Sequence, residues 1–152
     1  MSHRVYIKYD DIISHEKDVI KFLIDNSEQF SVTVVISRPY SQFPPVFNCD
    51  KLLQPYVIKY IYERNEWPVN FLGKRRHQIM VVCRCCKEIR KQLLIMDGLF
   101  FQVNNNLPED ICFYRNGKLW FGTITHEKIA FIENITAEDI AFFRQCGIQI
   151  YV

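Results

Sequence analysis

The sequence predicts an α/β or α+β fold in which a mixed sheet packs against helices and continues into a C-terminal antiparallel meander, a helix and a terminal strand. Two observations predict this class. Strand-like apolar segments are interleaved with helix-like segments in the first hundred residues, and four short strand-like segments then follow one another. The chain has 152 residues, 49% of them hydrophobic, with no linker or repeat, so we expect a single domain over residues 1–152.

The N-terminal third contains two predicted strands and a helix. Apolar and polar side chains alternate from Arg4 to Lys8, which is typical of an edge strand. Residues 14–26 have helical spacing, with Ser14 as the expected N-cap and Asn26 as the stop. Ser31 to Ser37 is rich in β-branched residues on both faces and predicts an interior strand.

The middle third combines loops with a helix, a strand and a second helix. Prolines predict a loop over 38–50, and 65–73 is a second irregular stretch. A helix is expected from Pro55, because residues 56, 57, 60 and 61 then share an apolar face. His77 to Cys83 predicts a central strand, and Cys85 to Asp97 predicts a helix with Ile89, Leu93 and Met96 as its inner stripe.

The C-terminal third predicts a meander. Asn116-Gly117 is a strong hairpin signal, because both residues accept positive φ. Thr136, with Asp139 three residues later, begins a final helix that Gly147 ends, and residues 148–151 are expected to form a terminal strand. The four strands of this third are Leu99 to Val103, Ile111 to Arg115, Lys118 to Ile124 and Ile129 to Glu133.

The N-terminal segment and the cysteines predict a compartment. No apolar run follows a basic start, and the longest apolar stretches are far below the roughly 18 residues that a membrane span requires. We therefore expect a cytoplasmic protein that does not bind a membrane. In a reducing compartment its six cysteines are more typical of buried, metal-bound or reactive thiols than of disulfides.

Positive charge is concentrated in residues 74–97, which hold seven lysines and arginines and two acidic residues, while the whole chain has a net charge of +2. On a helix, Lys87, Arg90 and Lys91 are neighbours on the side opposite Ile89. Such a surface attracts acidic or phosphate-rich partners, although an ordinary solvated helix face has the same pattern. The candidate partner-binding residues are Arg75, Arg76, Arg84, Lys87, Arg90 and Lys91.

Three cysteines overlap this basic segment. Cys83 and Cys86 form a C-x-x-C pair where a predicted strand meets a predicted helix, and a helix N-terminus lowers the pKa of a nearby thiol. Two alternatives stay open. Cys83, Cys85 and Cys86 are candidate metal ligands, although no second C-x-x-C accompanies them, and buried, inert thiols explain the same residues. We expect no cofactor.

The meander is rich in aromatic residues. They predict either a core between two layers or an exposed recognition sheet. The set is Phe100, Phe101, Phe113, Tyr114, Trp120, Phe121 and Phe131.

Two resemblances are carried by short segments. Cys83-Arg84-Cys85-Cys86-Lys87 resembles the active-site element of thioredoxin-like oxidoreductases, which implies a redox pair of Cys83 and Cys86. Only about 25 residues lie between these cysteines and Pro108, fewer than the thioredoxin fold places there. Residues 1–11 and 107–117 resemble a group of short proteins from spore-forming bacteria, some labelled stage III sporulation protein AH. That resemblance implies no catalytic residues.

These observations predict a non-catalytic cytosolic interaction or regulatory protein that binds a protein or another acidic partner. The first alternative is a thiol-disulfide oxidoreductase that uses Cys83 and Cys86. The second is a nucleic-acid-binding protein that uses the basic segment 74–91. An edge strand at either terminus makes a homo-oligomer possible.

Overall fold

The computed structural model describes residues 3–36, 50–62, 77–96, 98–99 and 109–151. The strands are β1 (Arg4–Lys8), β2 (Gln29–Ile36), β3 (Val57–Tyr62), β4 (His77–Arg84), β5 (Glu109–Arg115), β6 (Lys118–Ile124) and β7 (Ile129–Glu133). The helices are α1 (Tyr9–Ile13), α2 (Glu16–Asp25), α3 (Asp50–Leu53), α4 (Ile89–Ile95) and α5 (Ala137–Gln145), with 3₁₀ turns at Gln54–Tyr56 and Thr125–Glu127.

The seven strands form one sheet in the order β1-β7-β6-β5-β2-β4-β3. Each pairing in it is antiparallel, so the sheet is antiparallel rather than mixed and the fold belongs to the α+β class. The predicted meander is confirmed, because β5, β6 and β7 are consecutive neighbours. The predictions of β1 as an edge strand and β2 as an interior strand are also confirmed.

The main core lies between one face of the sheet and the inner faces of α2, α4 and α5. Phe30 and Cys83 are paired neighbours in the middle of the sheet, and both are fully buried. Leu23, Leu93 and Phe143 bring the three helices onto this face. The predicted inner stripe of α4 is confirmed, because Ile89, Leu93 and Met96 are all buried. Alternate strand residues therefore supply most of the apolar burial that stabilises the domain.

Most of the described aromatic side chains of the meander are buried. Phe113, Trp120, Phe121 and Phe131 are fully or almost fully buried. The β5–β6 register shifts after Phe113, which places Trp120 at a bulge and lets both Trp120 and Phe121 join the same core. The interpretation as core is confirmed for these four, with Phe131 buried on the face of Tyr6, its partner on β1, whereas Tyr114 is half-buried. Phe100 and Phe101 lie outside the described residues.

The hairpin turn and the last helix are held together by one ion pair. Asn116 and Gly117 have the positive φ values, 52° and 73°, that the hairpin prediction required. Next to this turn, Arg115 donates from both terminal nitrogens to the Asp139 carboxylate at 3.0 and 2.7 Å, and its guanidinium lies 3.9 Å from the Trp120 ring centroid. Thr136 and Asp139 also form the predicted capping box at the start of α5.

The helix predicted from Pro55 is wrong. Pro55 lies in a 3₁₀ turn, and the residues that follow it form β3, which pairs with β4. Residues 57–62 are rich in valine, isoleucine and tyrosine, and their strand propensity combined with ladder hydrogen bonds from β4 outweighs the helical spacing.

Three further boundaries differ from the predictions. Ser14 ends α1 rather than capping α2, and α4 begins at Ile89 rather than at Cys85. Residues 148–151 form no strand, because no described strand pairs with them. Their side chains still alternate between buried and exposed, with Ile148 and Ile150 buried. Leu99 is a buried turn residue. Three other predicted stretches lie outside the described residues: the rest of the strand at 99–103, the irregular stretch at 65–73 and nearly all of the loop at 38–50.

No described helix is long and apolar enough to cross a bilayer.

Replacing Asp139 with alanine is expected to lower the free energy of unfolding by about 2–4 kcal/mol, because it removes the capping box and leaves Arg115 without its carboxylate. Burial raises the pKa of Asp139, but hydrogen bonds from Arg115 and Thr136 and the Arg115 charge outweigh it, so the net pKa is lowered. Because the pKa of Asp139 is lower in the folded than in the unfolded protein, its ionised carboxylate stabilises the fold at pH values above the unfolded pKa of about 3.9. This stabilisation is lost as the pH falls through the pKa of the folded protein.

Urea unfolding between pH 3 and pH 7 measures this effect. The difference between the wild type and Asp139→Ala should shrink as the pH falls below about 4. Glu138→Ala is the matched control, since it removes an exposed carboxylate from the same helical turn and should cost less than about 1 kcal/mol. Equal losses in the two variants would contradict the role of the ion pair.

Gly98→Ala and Gly147→Ala are expected to destabilise the protein by similar amounts. Both glycines follow a helix with positive φ, 79° and 82°, so alanine has a similar backbone cost at each. A Cβ at Gly98 would overlap the Glu16 carboxylate, but this is the end of a flexible side chain and can move aside, and a Cβ at Gly147 meets nothing within 4 Å. Thermal unfolding should show each variant costing about 1–2 kcal/mol. A variant with an unchanged melting temperature would contradict the cost of positive φ at that position.

Candidate functional site

Four of the six predicted partner-binding residues lie close together in sequence, two of them at the end of β4 and in the turn after it and two on α4. Arg84 is the exposed last residue of β4, and Lys87 is exposed in the turn that follows. Arg90 is half-buried and Lys91 is exposed, both on α4. The other two candidates, Arg75 and Arg76, lie outside the described residues.

The outer face of α4 also carries two large apolar side chains. Leu94 is 41% exposed and Ile95 is 60% exposed. With 100° per residue, Leu94 follows Arg90 and Ile95 follows Lys91 at i+4, so each apolar side chain neighbours a cation. We call this set the α4 surface: Arg84, Lys87, Arg90, Lys91, Leu94 and Ile95.

The inward stripe of α4 determines this orientation. Ile89 and Leu93 are fully buried and Met96 is almost so, which directs the opposite side of the helix towards solvent. At the N-terminal end, the Arg90 Nε donates to the Lys87 carbonyl oxygen at 3.3 Å. The inward stripe thus directs Arg90 and Lys91 outward, and the hydrogen bond ties Arg90 to the turn that carries Lys87.

The α4 surface has a net positive charge. Its four cations surround one exposed carboxylate, Glu88, whose pKa is lowered by hydrogen bonds from its own backbone N–H and the Cys86 thiol and by the charges of Arg84 and Lys87. Among the described residues, no carboxylate forms a salt bridge with any of the four cations. The Arg84 guanidinium lies 5.6 Å from the Tyr56 ring centroid. An anionic partner therefore meets cations that no described carboxylate neutralises by direct pairing.

The sequence analysis missed Leu94 and Ile95. Leu93 and Met96 were predicted to be buried, and Leu94 and Ile95, which lie between them in the sequence, were given no role. The available signal is the helical angle: Leu94 falls between Arg90 and Lys91, and Ile95 falls next to Lys91, on the polar side where an amphipathic helix usually carries polar residues.

The structure places Cys83 in the core rather than in a reactive site. It pairs with Phe30 on β2 and Val57 on β3 and is fully buried. Burial, with a smaller contribution from Cys85, raises the pKa of Cys83 to about 12. This placement agrees with the buried, inert thiol among the alternatives that the sequence left open, and not with a thiol whose pKa a helix N-terminus lowers.

The expected helix N-terminus is not at the C-x-x-C pair. The backbone N–H of Cys85 donates to the Glu28 carbonyl at 2.9 Å, and α4 begins only at Ile89, which donates to the Cys86 carbonyl at 3.1 Å. Burial and the neighbouring Cys86 and Glu28 raise the pKa of Cys85 to about 12. This geometry is unlike the thioredoxin element, in which the helix dipole stabilises a thiolate.

The alternative metal ligands Cys83, Cys85 and Cys86 do not form a metal-binding group. In the part of the chain that the structure describes, no three histidine, cysteine, aspartate or glutamate side chains are placed to hold a metal ion. Cys112, next to Phe113 on β5, points to the opposite face of the sheet from Cys83, because Phe30 pairs with both Phe113 and Cys83. Cys49 lies outside the described residues.

Comparison with family models, with characterised proteins and with solved structures finds no match to this chain. The resemblance to short proteins from spore-forming bacteria therefore stays a prediction of the sequence.

Native Cys83 is expected to react with iodoacetamide at pH 8 at least about a hundredfold more slowly than Cys83 in the denatured chain, because the thiolate is the nucleophile and burial suppresses it. Peptide mapping by mass spectrometry gives the rate for each cysteine separately. The denatured protein controls for intrinsic reactivity. Half-maximal alkylation of native Cys83 below pH 8.5 would contradict this assignment and restore the oxidoreductase alternative.

Proposed function

We propose that this protein is a non-catalytic, cytosolic interaction protein that binds an acidic segment of a partner protein on the α4 surface. The observation that carries the proposal is the pairing of Leu94 and Ile95, 41% and 60% exposed, with cations on one helix face. The segment it recognises combines Asp or Glu side chains with apolar side chains. A regulatory role in which such binding controls the partner belongs to the same proposal.

The two kinds of side chain contribute differently to binding. Cations accelerate and orient the encounter with an acidic partner, and this contribution falls with salt. Exposed apolar side chains stabilise the bound state, since burial of the remaining surface of Leu94 and Ile95 is worth roughly 1 kcal/mol each. Because the two lie beside Arg90 and Lys91, one partner helix or strand contacts both kinds at once.

The apolar residues favour a protein over a nucleic acid. Nucleic-acid backbones are bound mainly through Lys and Arg contacts to phosphates, and aliphatic side chains at the centre of such a surface have no phosphate to contact. Part of the basic segment 74–91, including Arg75 and Arg76, lies outside the described residues.

The cysteines support a cytosolic location and a non-catalytic role. All five described cysteines are free thiols, as a reducing compartment maintains them. Burial of Cys83 and the raised pKa values of Cys83 and Cys85 argue against thiol-disulfide exchange at this position.

A binding assay with defined probes tests the proposal. The probes are a fluorescent amphipathic peptide of glutamate and leucine, its glutamine-for-glutamate analogue and a short DNA duplex, each measured by anisotropy at two salt concentrations. We expect the acidic peptide to bind best. Lys87→Glu/Lys91→Glu should weaken binding about tenfold or more, and Leu94→Ser/Ile95→Ser about three- to tenfold.

The matched control is Lys17→Glu/Lys118→Glu, which changes the net charge equally at exposed positions outside the α4 surface. It should change the affinity less than about twofold. Tight DNA binding with a steep salt dependence and no response to Leu94→Ser/Ile95→Ser would support the nucleic-acid alternative instead. Absence of binding to every probe, or equal losses in the control, would reject the α4 surface.

A further inference from the structure

The two edges of the sheet differ in regularity. At one edge, the β3–β4 register shifts between Val57 and Lys59, so Ile58 bulges out and is 48% exposed. Bulges of this kind protect an edge strand from further pairing. At the other edge, all five residues of β1, Arg4–Lys8, pair with β7 without interruption. No described strand lies beyond β1, so β1 is the regular edge.

The alternation of hydrogen-bonded pairs along β1 and β7 shows which backbone groups of β1 point outward. The Tyr9 N–H donates to the Lys128 carbonyl at 2.9 Å, one step beyond the Lys8–Ile129 pair. Hydrogen-bonded and non-hydrogen-bonded pairs alternate in an antiparallel ladder, so Ile7 also bonds to β7. The N–H and C=O groups of Tyr6 and the N–H of Lys8 therefore point away from β7, along the outer edge of the sheet, while the Lys8 carbonyl is the N-cap carbonyl of α1.

The side chains of β1 separate by face. Val5 and Ile7 are buried on the helix-covered face, at 4% and 2% exposure. Arg4, Tyr6 and Lys8 lie on the other face, where Tyr6 is 56% exposed and Lys8 is exposed. Arg4 donates to the Glu133 carboxylate on β7 at 2.6 Å. A strand added beside β1 thus meets two basic residues and a tyrosine on one of its faces.

This pattern disfavours a second copy of the chain. In antiparallel pairing of β1 with itself over its full length, Tyr6 faces Tyr6 on the two-fold axis, and Arg4 faces Lys8 twice. Directly opposed like charges destabilise a strand pair, whereas opposite charges stabilise it. Asp10 and Asp11 belong to α1, beyond the end of the strand, and are not cross-strand neighbours of an added strand.

We propose that β1 accepts an extended acidic segment of another protein as an eighth strand. Backbone hydrogen bonds to the N–H and C=O of Tyr6 and to the N–H of Lys8 hold the segment, and a carboxylate lies opposite Lys8, since Arg4 is already paired with Glu133. This site is independent of the α4 surface, because β1 and β4, which leads into α4, lie at opposite sides of the seven-stranded sheet.

The probe that tests this is an acetylated heptapeptide of alternating glutamate and valine, with a lysine-for-glutamate analogue and an analogue N-methylated at alternate amides. Calorimetry gives the affinity, and ¹H–¹⁵N spectra locate the site. We expect the acidic peptide to shift the β1 amides and the two analogues to bind at least about tenfold more weakly. Lys8→Glu should weaken binding of the acidic peptide about three- to tenfold.

Tyr6→Pro is the sharpest variant, because proline removes an outward N–H and leaves the ladder to β7 intact. It should lower the affinity at least about tenfold while the circular dichroism spectrum stays unchanged. Lys17→Glu/Lys118→Glu, which changes the net charge equally outside both surfaces, should leave the β1 amide shifts unchanged, and following these shifts residue by residue separates this site from the α4 surface. If Tyr6→Pro unfolds the protein, Lys8→Glu and the N-methylated peptide decide the question.

Three results would overturn the proposal. The first is no binding of the acidic peptide at millimolar concentration, and the second is binding that neither N-methylation nor Lys8→Glu weakens. The third is a dimer of the wild type in sedimentation experiments that Tyr6→Pro dissociates, which would make a second copy the occupant.

Discussion

The pairing of β2 with both β4 and β5 is the interaction on which the rest of the fold depends. β2 joins the strands of the N-terminal half to the C-terminal meander, and its eight residues pair with all eight of β4. Phe30 lies between Cys83 and Phe113 at this junction and is fully buried. Because contacts so distant in sequence are expensive in chain entropy, the apolar burial around Phe30 has to offset the closure of long loops on both sides.

This central pairing also determines what the molecule exposes. It buries Cys83 beside Phe30 and Val57. The C-x-x-C pair therefore runs from the core into the turn after β4, and it does not lie at the N-terminus of a helix. It directs the chain out of the sheet at Arg84, from which α4 returns to pack Leu93 against the core. It leaves β1 and β3 as the outer strands. The basic surface, the inert thiols and the two edges are thus consequences of one ladder.

Local signals in the sequence predicted the elements whose stability is local. The bounds of β6 and β7 were predicted to the residue, and the Asn116-Gly117 turn and the Thr136 capping box form as predicted. Residues 57–61 were read as helical because the spacing of their apolar residues suits a helix, but β4 offers them a ladder that no local pattern reveals. The basic cluster on α4 was predictable from spacing. The exposure of Leu94 and Ile95 was open to prediction as well, because the inner stripe of Ile89, Leu93 and Met96 leaves both on the outer side of α4.

The arrangement of charge disfavours self-association through the exposed apolar side chains. Leu94 and Ile95 lie beside cations of the α4 surface, so two copies that bring their α4 surfaces together also bring like charges together. On β1, Lys8 acts in the same direction, since two β1 strands paired over their full length place it opposite Arg4. Charge repulsion at the two proposed surfaces therefore leaves the short-range attraction to a partner of opposite charge. In the proposed binding, specificity comes as much from what the cations exclude as from what they attract.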